Sequence, residues 1–397
     1  MAAGPRRVAI IGCTGSIGSQ ALEVARLHGE RFSVSALTAY QSMDKLLEQV
    51  RAFRPQMAGL ARGGSIKDVP EDLRFCEWAF GEEALRRAVE TDCDDVLVSV
   101  VGMAGLQSVL HALSLGKRVL LANKEALVAG GKLVIAAAER AGKNKLLPVD
   151  SEHSAVFQCL EGAAGNPAET IYLTCSGGPF RGWEREAVRA AVRSQALSHP
   201  NWVMGPKITV DSATLFNKAL EMVEAKWLFQ VEPRQIQVLI HPQSLVHSAV
   251  GFADGAILAQ LGVPDMRLPI LYAMSYPKRL PTGQPPPDLL ALGALTFEKP
   301  DPVRFPSLRM AKEALDAGGA AACVLNAANE EAVACFLQNV REKDMPIGRI
   351  YDIVEEILQR LGHLPAGDLD EVMDADRRAR EMAVERLRGH RRRSAAE

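Results

Sequence analysis

The feature that most constrains this chain lies near its start. Arg7-Val8-Ala9-Ile10-Ile11 is a short apolar, β-branched run. It passes directly into Gly12-Cys13-Thr14-Gly15-Ser16-Ile17-Gly18, then into Ser19-Gln20-Ala21-Leu22-Glu23-Val24-Ala25-Arg26, whose apolar residues recur at helical spacing. Strand, glycine turn and helix in that order form the context a dinucleotide fingerprint needs. Glycines let the backbone turn tightly and approach a pyrophosphate, and a helix N-terminus presents free N–H groups and a positive dipole end. The spacing here, G-x-x-G-x-x-G, is looser than the usual pattern, and a plain strand-to-helix turn is the alternative.

Further alternation follows. Segments 32–38, 95–101 and 118–122 read as strands with helical stretches between them, which predicts an α/β, mostly parallel, doubly wound sheet. An acid at the end of the second strand would bind the ribose 2′-hydroxyl of NAD. The segment is instead Leu37-Thr38-Ala39-Tyr40-Gln41-Ser42, with no acid before Asp44. That leaves room for a 2′-phosphate and favours NADP, although no Lys or Arg stands in the segment to pair with it.

At 397 residues the chain exceeds what one core usually serves, so two or three domains are expected. A net charge of -2 gives no reason to expect nucleic acid or an anionic membrane as partner. An anionic substrate must therefore be drawn by local groups. Cys13, Cys76, Cys93, Cys159, Cys175, Cys323 and Cys335 stand singly, without a C-x-x-C pair. This reads as reduced thiols, with neither a disulfide framework nor a zinc site. The apolar run 8–11 is too short for a signal-peptide core, and no stretch is long enough to span a bilayer. A soluble, cytoplasmic protein is expected. The arginine-rich tail 377–393, interleaved with Glu381 and Glu385, reads as an exposed helix with a basic end rather than a nucleic-acid arm.

The residues suited to chemistry come later. Asp150 and Glu152 in Pro148-Val149-Asp150-Ser151-Glu152-His153 would share a face if the segment is extended. Paired carboxylates repel unless they share a proton or a cation, so a divalent metal is a natural occupant, and solvated acids at a strand end are the alternative. In Asp211-Ser212-Ala213-Thr214-Leu215-Phe216-Asn217-Lys218-Ala219-Leu220-Glu221, Ser212 is placed where a helix should begin, and Asn217 and Glu221 share a helix face. Hydroxyl, amide and ammonium at one end, with a carboxylate a turn further, suit a phosphate beside a metal. A capped amphipathic helix with exposed Lys218 and Glu221 is the competing account.

Cys175-Ser176-Gly177-Gly178-Pro179-Phe180 is a small-residue loop that can cradle an anion or simply turn. His199-Pro200-Asn201-Trp202-Val203-Met204-Gly205-Pro206 would expose Trp202 and Met204 unless they cover something, as an active-site lid or by packing on the domain. His241 and His247, flanking Pro242-Gln243-Ser244, read as satisfied structural histidines.

Taken in order, the glycine turn, Leu121-Ala122-Asn123-Lys124-Glu125, Pro148–His153, Ser176–Phe180, His199-Pro200-Asn201-Trp202, Val210–Thr214, Asn217-Lys218 and Ile240-His241-Pro242-Gln243-Ser244 resemble the motif series of the 1-deoxy-D-xylulose 5-phosphate reductoisomerases. The resemblance extends to Pro264-Asp265-Met266-Arg267 and Leu325-Asn326-Ala327-Ala328-Asn329-Glu330, and so covers nearly the whole chain. It implies conversion of 1-deoxy-D-xylulose 5-phosphate to 2-C-methyl-D-erythritol 4-phosphate, an early step of the non-mevalonate isoprenoid route, with NADPH and a divalent cation, Mg²⁺ or Mn²⁺ with Co²⁺ as a further candidate.

By the same resemblance, Asp150, Glu152 and Glu221 are the metal ligands. Ser176, His199, Ser212, Asn217 and Lys218 meet the phosphate, and Lys124, Ser151 and Glu152 face the sugar. Trp202 lies over the sugar in a flap at 199–206. Thr14, Gly15, Ser16, Ile17, Asn123, Glu125 and Gly205 contact the cofactor, with Tyr40, Gln41 and Ser42 near the adenosine. Tyr40-Gln41 departs from a family pattern of a small residue with a nearby basic one.

Three parts are implied: a Rossmann-like cofactor domain at 1–149, an α+β catalytic domain at 150–279 and, after a proline-rich linker at 280–306, a helical domain at 307–397 in a homodimeric protein. Helices are read at 311–317, 320–338, 350–361 and 375–387. Two rivals remain: a metal-free dehydrogenase, and a silent NADP sensor needing neither Glu221 nor the flap.

Overall fold

The computed structural model describes residues 4–198, 205–338 and 345–394, with side chains to residue 388. Contacts divide the chain into two compact units. One comprises Met1–Ala126, Val134–Ser154 and Asp265–Pro285; the other comprises Leu127–Leu133, Ala155–Pro264 and Pro286–Glu397.

The first unit is built on a seven-stranded parallel sheet: β1 (Arg6–Ile11), β2 (Phe32–Ala39), β3 (Met57–Leu60), β4 (Glu77–Phe80), β5 (Asp95–Val98), β6 (Arg118–Leu121) and β7 (Leu146–Pro148). Every residue of β3, β5 and β6 is buried, as expected where helices cover both faces of a parallel sheet. The order is β4-β3-β2-β1-β5-β6-β7. The chain starts in the middle, runs out to one edge, then returns to fill the other side. The reversal between β1 and β5 is the topological switch point, where such sheets open a crevice at the carboxyl ends of their strands. The doubly wound, Rossmann-like expectation holds, with β3, β4 and β7 added to the strands read from sequence.

The second unit holds a smaller sheet of β8 (Thr170–Cys175), β9 (Ile236–Ile240), β10 (Val246–Gly251) and β11 (Ile257–Leu261), in the order β11-β10-β8-β9. Here β8 and β9 are parallel, and β10 is antiparallel to both its neighbours. The helix Phe216–Phe229 packs on β8 and β9 and against the helices Ser307–Ala317 and Ala321–Gln338. Ala321–Gln338 is buried over most of its circumference, which is why its sequence shows little amphipathic contrast. Ile347–Leu361 and Leu369–Ser394 pack against it, completing the expected helical C-terminal region. These four helices belong to the same compact unit as the four-stranded sheet. No helix among the described residues is long and apolar enough to cross a membrane.

Candidate active site

The glycine turn sits at the end of β1, beside the switch point. Gly12 has φ 92, a conformation that disfavours a side chain, and a Cβ there would meet the Ser99 backbone at 3.0 Å. The amides of Gly12 and Cys13 both donate to the Thr38 carbonyl, at 3.0 and 2.8 Å, which locks the turn to β2. A Cβ at Gly18 would lie 2.3 Å from the Gly12 carbonyl oxygen, so this glycine lets the helix Ser16–Leu27 seat on the turn. Gly15 is the N-cap and supplies no side-chain cap. Gly15 and Ser16 are exposed, Thr14 and Ile17 half-buried. An uncapped helix start with an open face suits a pyrophosphate.

Two cations that sequence reasoning missed stand close by. Lys45 donates to the Thr14 carbonyl at 2.7 Å and to Ser19 Oγ at 3.0 Å. Arg62, from the end of β3, places its guanidinium 5.8 Å from the centre of the Tyr40 ring, and its amide donates to the Tyr40 carbonyl at 2.7 Å. Tyr40 is 58% exposed, and Gln41 and Ser42 are exposed beside it. Basic groups are thus present at the end of β2, supplied partly by a neighbouring strand. Pairing of parallel strands was the only signal that would have brought Arg62 here.

Asn123 caps the helix Lys124–Ala141. Its Oδ1 accepts from the Ala126 amide at 2.9 Å, while its Nδ2 donates to the carbonyls of Val100 and Gly102 and to Glu125 Oε2. Asn123 and Glu125 are both buried, so their side chains brace the loop after β5.

Asp150 is not in an extended segment. The helix Ser151–Gly162 begins immediately after it, and Asp150 Oδ1 accepts from the amides of Glu152 at 3.1 Å and His153 at 3.4 Å. A carboxylate in this position satisfies orphan donors and complements the helix dipole, which is the physical reason the strand gives way to helix here. The same oxygen lies 2.9 Å from His153 Nδ1, and Oδ2 accepts from Lys124 Nζ at 3.0 Å. Ser151 Oγ donates to Glu152 Oε2 at 2.5 Å. Lys124 and Asp150 are mostly buried, and His153 is wholly so.

In the second unit, Ser176 begins a loop in which Gly177 and Gly178 have φ 86 and 66. A Cβ at Gly178 would lie 2.7 Å from the Ser212 carbonyl oxygen, so the glycine loop rests directly on the backbone of Ser212. Ser212 does not start a helix, as its sequence suggests, but falls in the last turn of Pro206–Ala213. Gly205 is the N-cap of that helix, and Thr209 donates to its carbonyl through both its amide and its hydroxyl. Leu215 then turns the chain with φ 55, and the helix Phe216–Phe229 starts with Asn217 and Lys218 in its first turn. His199 and Trp202, with most of the expected flap, lie outside the described residues.

Lys218 and Glu221 are 2% and 0% exposed. They form a close ion pair, and Asn217 Nδ2 donates to Glu221 Oε1 at 2.5 Å. The account of an amphipathic helix with these two side chains in solvent is therefore overturned: this turn of helix faces inward. Behind it, Asp211 is buried between Lys207, at 2.8 Å, and Asn329, at 2.8 Å, a brace that places the second half of the Leu325–Glu330 motif. Both histidines are buried, but only His247 is satisfied as expected: His241 Nε2 is buried without a hydrogen-bond partner among the described residues. His241 Nδ1 is 2.9 Å from the Thr296 carbonyl and its ring stacks on Phe297. Burial holds His247 below the usual imidazole range, with the nearby Lys218 charge adding to the effect.

With this geometry in view, three family descriptions match consecutive stretches: 1-deoxy-D-xylulose 5-phosphate reductoisomerase over 8–131, its C-terminal domain over 146–229 and the DXP reductoisomerase C-terminal domain over 261–382. The chain belongs to the 1-deoxy-D-xylulose 5-phosphate reductoisomerase family. Relatives of that name from Aromatoleum aromaticum and Symbiobacterium thermophilum are 48% and 49% identical over 388 and 389 residues, covering 95% of this chain and 95% and 98% of theirs. Among solved structures, the reductoisomerase from Zymomonas mobilis in complex with NADPH has a TM-score of 0.88 at 39% identity, covering 97% of this chain and 99% of its own. A reductoisomerase in complex with NADPH, fosmidomycin and magnesium has a TM-score of 0.89 at 37% identity, covering 96% and 98%. Membership in the reductoisomerase family thus rests on sequence and on fold over almost the full length.

Proposed function

We propose that this chain converts 1-deoxy-D-xylulose 5-phosphate to 2-C-methyl-D-erythritol 4-phosphate, using NADPH and a divalent cation, as a step of isoprenoid biosynthesis. The observation that carries this beyond family membership is the burial of Lys218 and Glu221 at the start of a helix. Burying an ammonium and a carboxylate costs several kcal/mol unless each has a partner. A buried, paired ammonium and carboxylate at the start of a helix is an arrangement more suited to a charged ligand than to solvation.

The donor sets fit the two groups the reaction needs. Asp150, Glu152 and Glu221 offer hard carboxylate oxygens, the chemistry Mg²⁺ and Mn²⁺ require. The exposed, uncapped start of Ser16–Leu27 suits a pyrophosphate, with Thr14, Gly15, Ser16 and Ile17 around it. Arg62 would meet the 2′-phosphate, with Tyr40, Gln41 and Ser42 flanking the adenosine, while Lys45 braces the glycine turn. Bound there, NADPH supplies hydride and the cation supplies Lewis acidity toward the substrate's hydroxyl and carbonyl oxygens.

The chain's own residues do the rest. Lys124 neutralises charge growing on substrate oxygen and, through its bond to Asp150, fixes that carboxylate. His153 holds Asp150 from the other side, a role outer partners of metal ligands commonly fill. Ser151 and Glu152 face the sugar. Ser176, Ser212, Asn217 and Lys218, joined by His199, take the phosphate. Trp202 would lie over the sugar, and binding of the remote phosphate supplies energy for orienting the substrate. Asn123 and Glu125 brace the loop after β5 and, with Gly205, would contact the cofactor.

Residues 1–149 serve the cofactor, 150–279 the chemistry, 280–306 the connection and 307–397 the support of Asp211 through Asn329. The protein is cytoplasmic and homodimeric, with β11 as the contact. This edge strand exposes Ile257 at 59% and Leu258 at 40%, and all seven cysteines are free. The test is product identity: the purified protein given 1-deoxy-D-xylulose 5-phosphate, NADPH and Mn²⁺ should yield 2-C-methyl-D-erythritol 4-phosphate by NMR. A reduced but unrearranged sugar would point to a simple dehydrogenase.

A further inference from the structure

In the second unit, a groove of about 1060 Å³ follows the outer edge of β9. Its floor is apolar, drawn from Ile236, Val238 and Leu239 of the strand together with Met222, Val303 and Leu308. Its lining carries six cations, Arg185, Arg189, Arg234, Lys299, Arg309 and Lys312, against the carboxylates of Asp316 and Glu355. Two of the cations are already engaged: Arg189 with Asp352 at 2.7 Å, and Arg309 with Glu313 and Glu355 at 2.6 Å each. The side chains of Arg185, Arg234, Lys299 and Lys312 make no ion pair among the described residues and are exposed. The chain as a whole carries a net charge of only -2, so this positive excess is a local feature.

The strand itself is the second observation. β9 pairs on one side with β8. On the other, its only partner among the described residues is Glu298, which exchanges backbone hydrogen bonds with Ile240 at 2.9 and 2.8 Å. From Ile236 to Leu239 no backbone hydrogen bond joins the strand to a neighbour on that side among the described residues, although Lys299, Pro300 and Pro302 line the same groove. Open edges are ordinarily blunted by a charge or a proline within the strand, yet β9 reads Ile-Gln-Val-Leu-Ile. A free anion would use the cations and leave the edge idle. An extended chain uses both, because a pairing strand points alternate side chains to opposite faces.

We propose that β9 accepts an extended acidic segment of another protein as a fifth strand. Its backbone would pair with Ile236–Leu239, its apolar side chains would lie on the floor, and its carboxylates would meet Arg185, Arg234, Lys299 and Lys312. None of these residues belongs to the catalytic machinery, so docking leaves the reaction chemistry itself untouched.

The experiment uses the full-length protein and a fluorescein-labelled peptide of alternating glutamate and valine, followed by anisotropy at low salt. Saturable binding is expected, weakened by about tenfold or more in the double variant Arg234→Glu, Lys312→Glu. Amide deuterium exchange over 236–239 should slow when peptide is bound. Unchanged turnover of the variant serves as the control for its folding. Absence of saturable binding, binding indifferent to the double variant, or binding without slowed exchange would each overturn the proposal. So would a change in oligomeric state caused by the variant, which would assign the groove to a second copy of the chain.

Discussion

Lys124 sets its ammonium 3.0 Å from Oδ2 of Asp150, the residue whose other oxygen caps the helix Ser151–Gly162. Asp150 is thereby oriented by a cation, an imidazole and the helix that follows it. Asp150→Asn keeps the size and part of the cap but removes the charge that both Lys124 and a metal need. Turnover should fall by at least about 100-fold while NADPH binding, measured by calorimetry, stays within a factor of about two. Near-normal turnover would remove Asp150 from the ligand set.

Lys218→Ala leaves Glu221 buried without its ammonium partner. A rise in the KM for substrate of at least about tenfold is expected, together with a loss of about 3 kcal/mol of stability in the metal-free protein. Steady-state kinetics and thermal melts check the two effects separately. An unchanged KM would take Lys218 out of the phosphate site even if the melt shifts.

Arg62 tests cofactor choice. Removing a guanidinium that pairs with a phosphate typically costs about 1.5–3 kcal/mol. Arg62→Ala should therefore lower the preference for NADPH over NADH by roughly tenfold or more, acting on KM for NADPH and not for NADH. Equal loss with both cofactors would show that Arg62 supports Tyr40 without reading the 2′-phosphate.

How far the sequence could be read follows the range of the interactions involved. β1, its glycine turn and the following helix are local, and their reading holds closely. β3 and β4, Met-Ala-Gly-Leu and Glu-Trp-Ala-Phe, contain no β-branched residue, whereas β5 and β6 of the same length carry valines. The extended alternative for 148–152 fails at Asp150, whose capping of the following amides starts a helix that its three polar followers do not announce. Ser212 was misplaced because Leu215 at φ 55, not a polar cap, divides the two helices. Lys218 and Glu221 look like solvent-facing residues in any local reading. Their burial follows from the packing of Phe216–Phe229 between β8, β9 and the C-terminal helices. Arg62 reaches Tyr40 only through the pairing of β3 with β2.

Gly18→Ala would drive a methyl group to 2.3 Å from the Gly12 carbonyl. The helix must then lift from the turn, at a cost of about 1–3 kcal/mol. Melting temperature and NADPH affinity should fall together. Retained affinity in a folded variant would separate the turn from the cofactor.

His247 links stability to pH. Burial lowers its pKa from the ordinary 6.5, so the unfolded chain takes up a proton that the folded chain resists. This contribution is complete above about pH 6.5 and is lost as the pH falls toward the lower folded value. Melts between about pH 5 and 7 should show stability rising with pH, and His247→Phe should flatten that slope. A slope unchanged by the substitution would assign it to other groups.

The most direct test of the central claim follows the absorbance of reduced nicotinamide in the purified protein with 1-deoxy-D-xylulose 5-phosphate, with Mn²⁺ and with chelator. Oxidation of NADPH that requires both substrate and metal is the predicted result. Oxidation that persists in chelator, or NADPH that binds and is never oxidised, would contradict it.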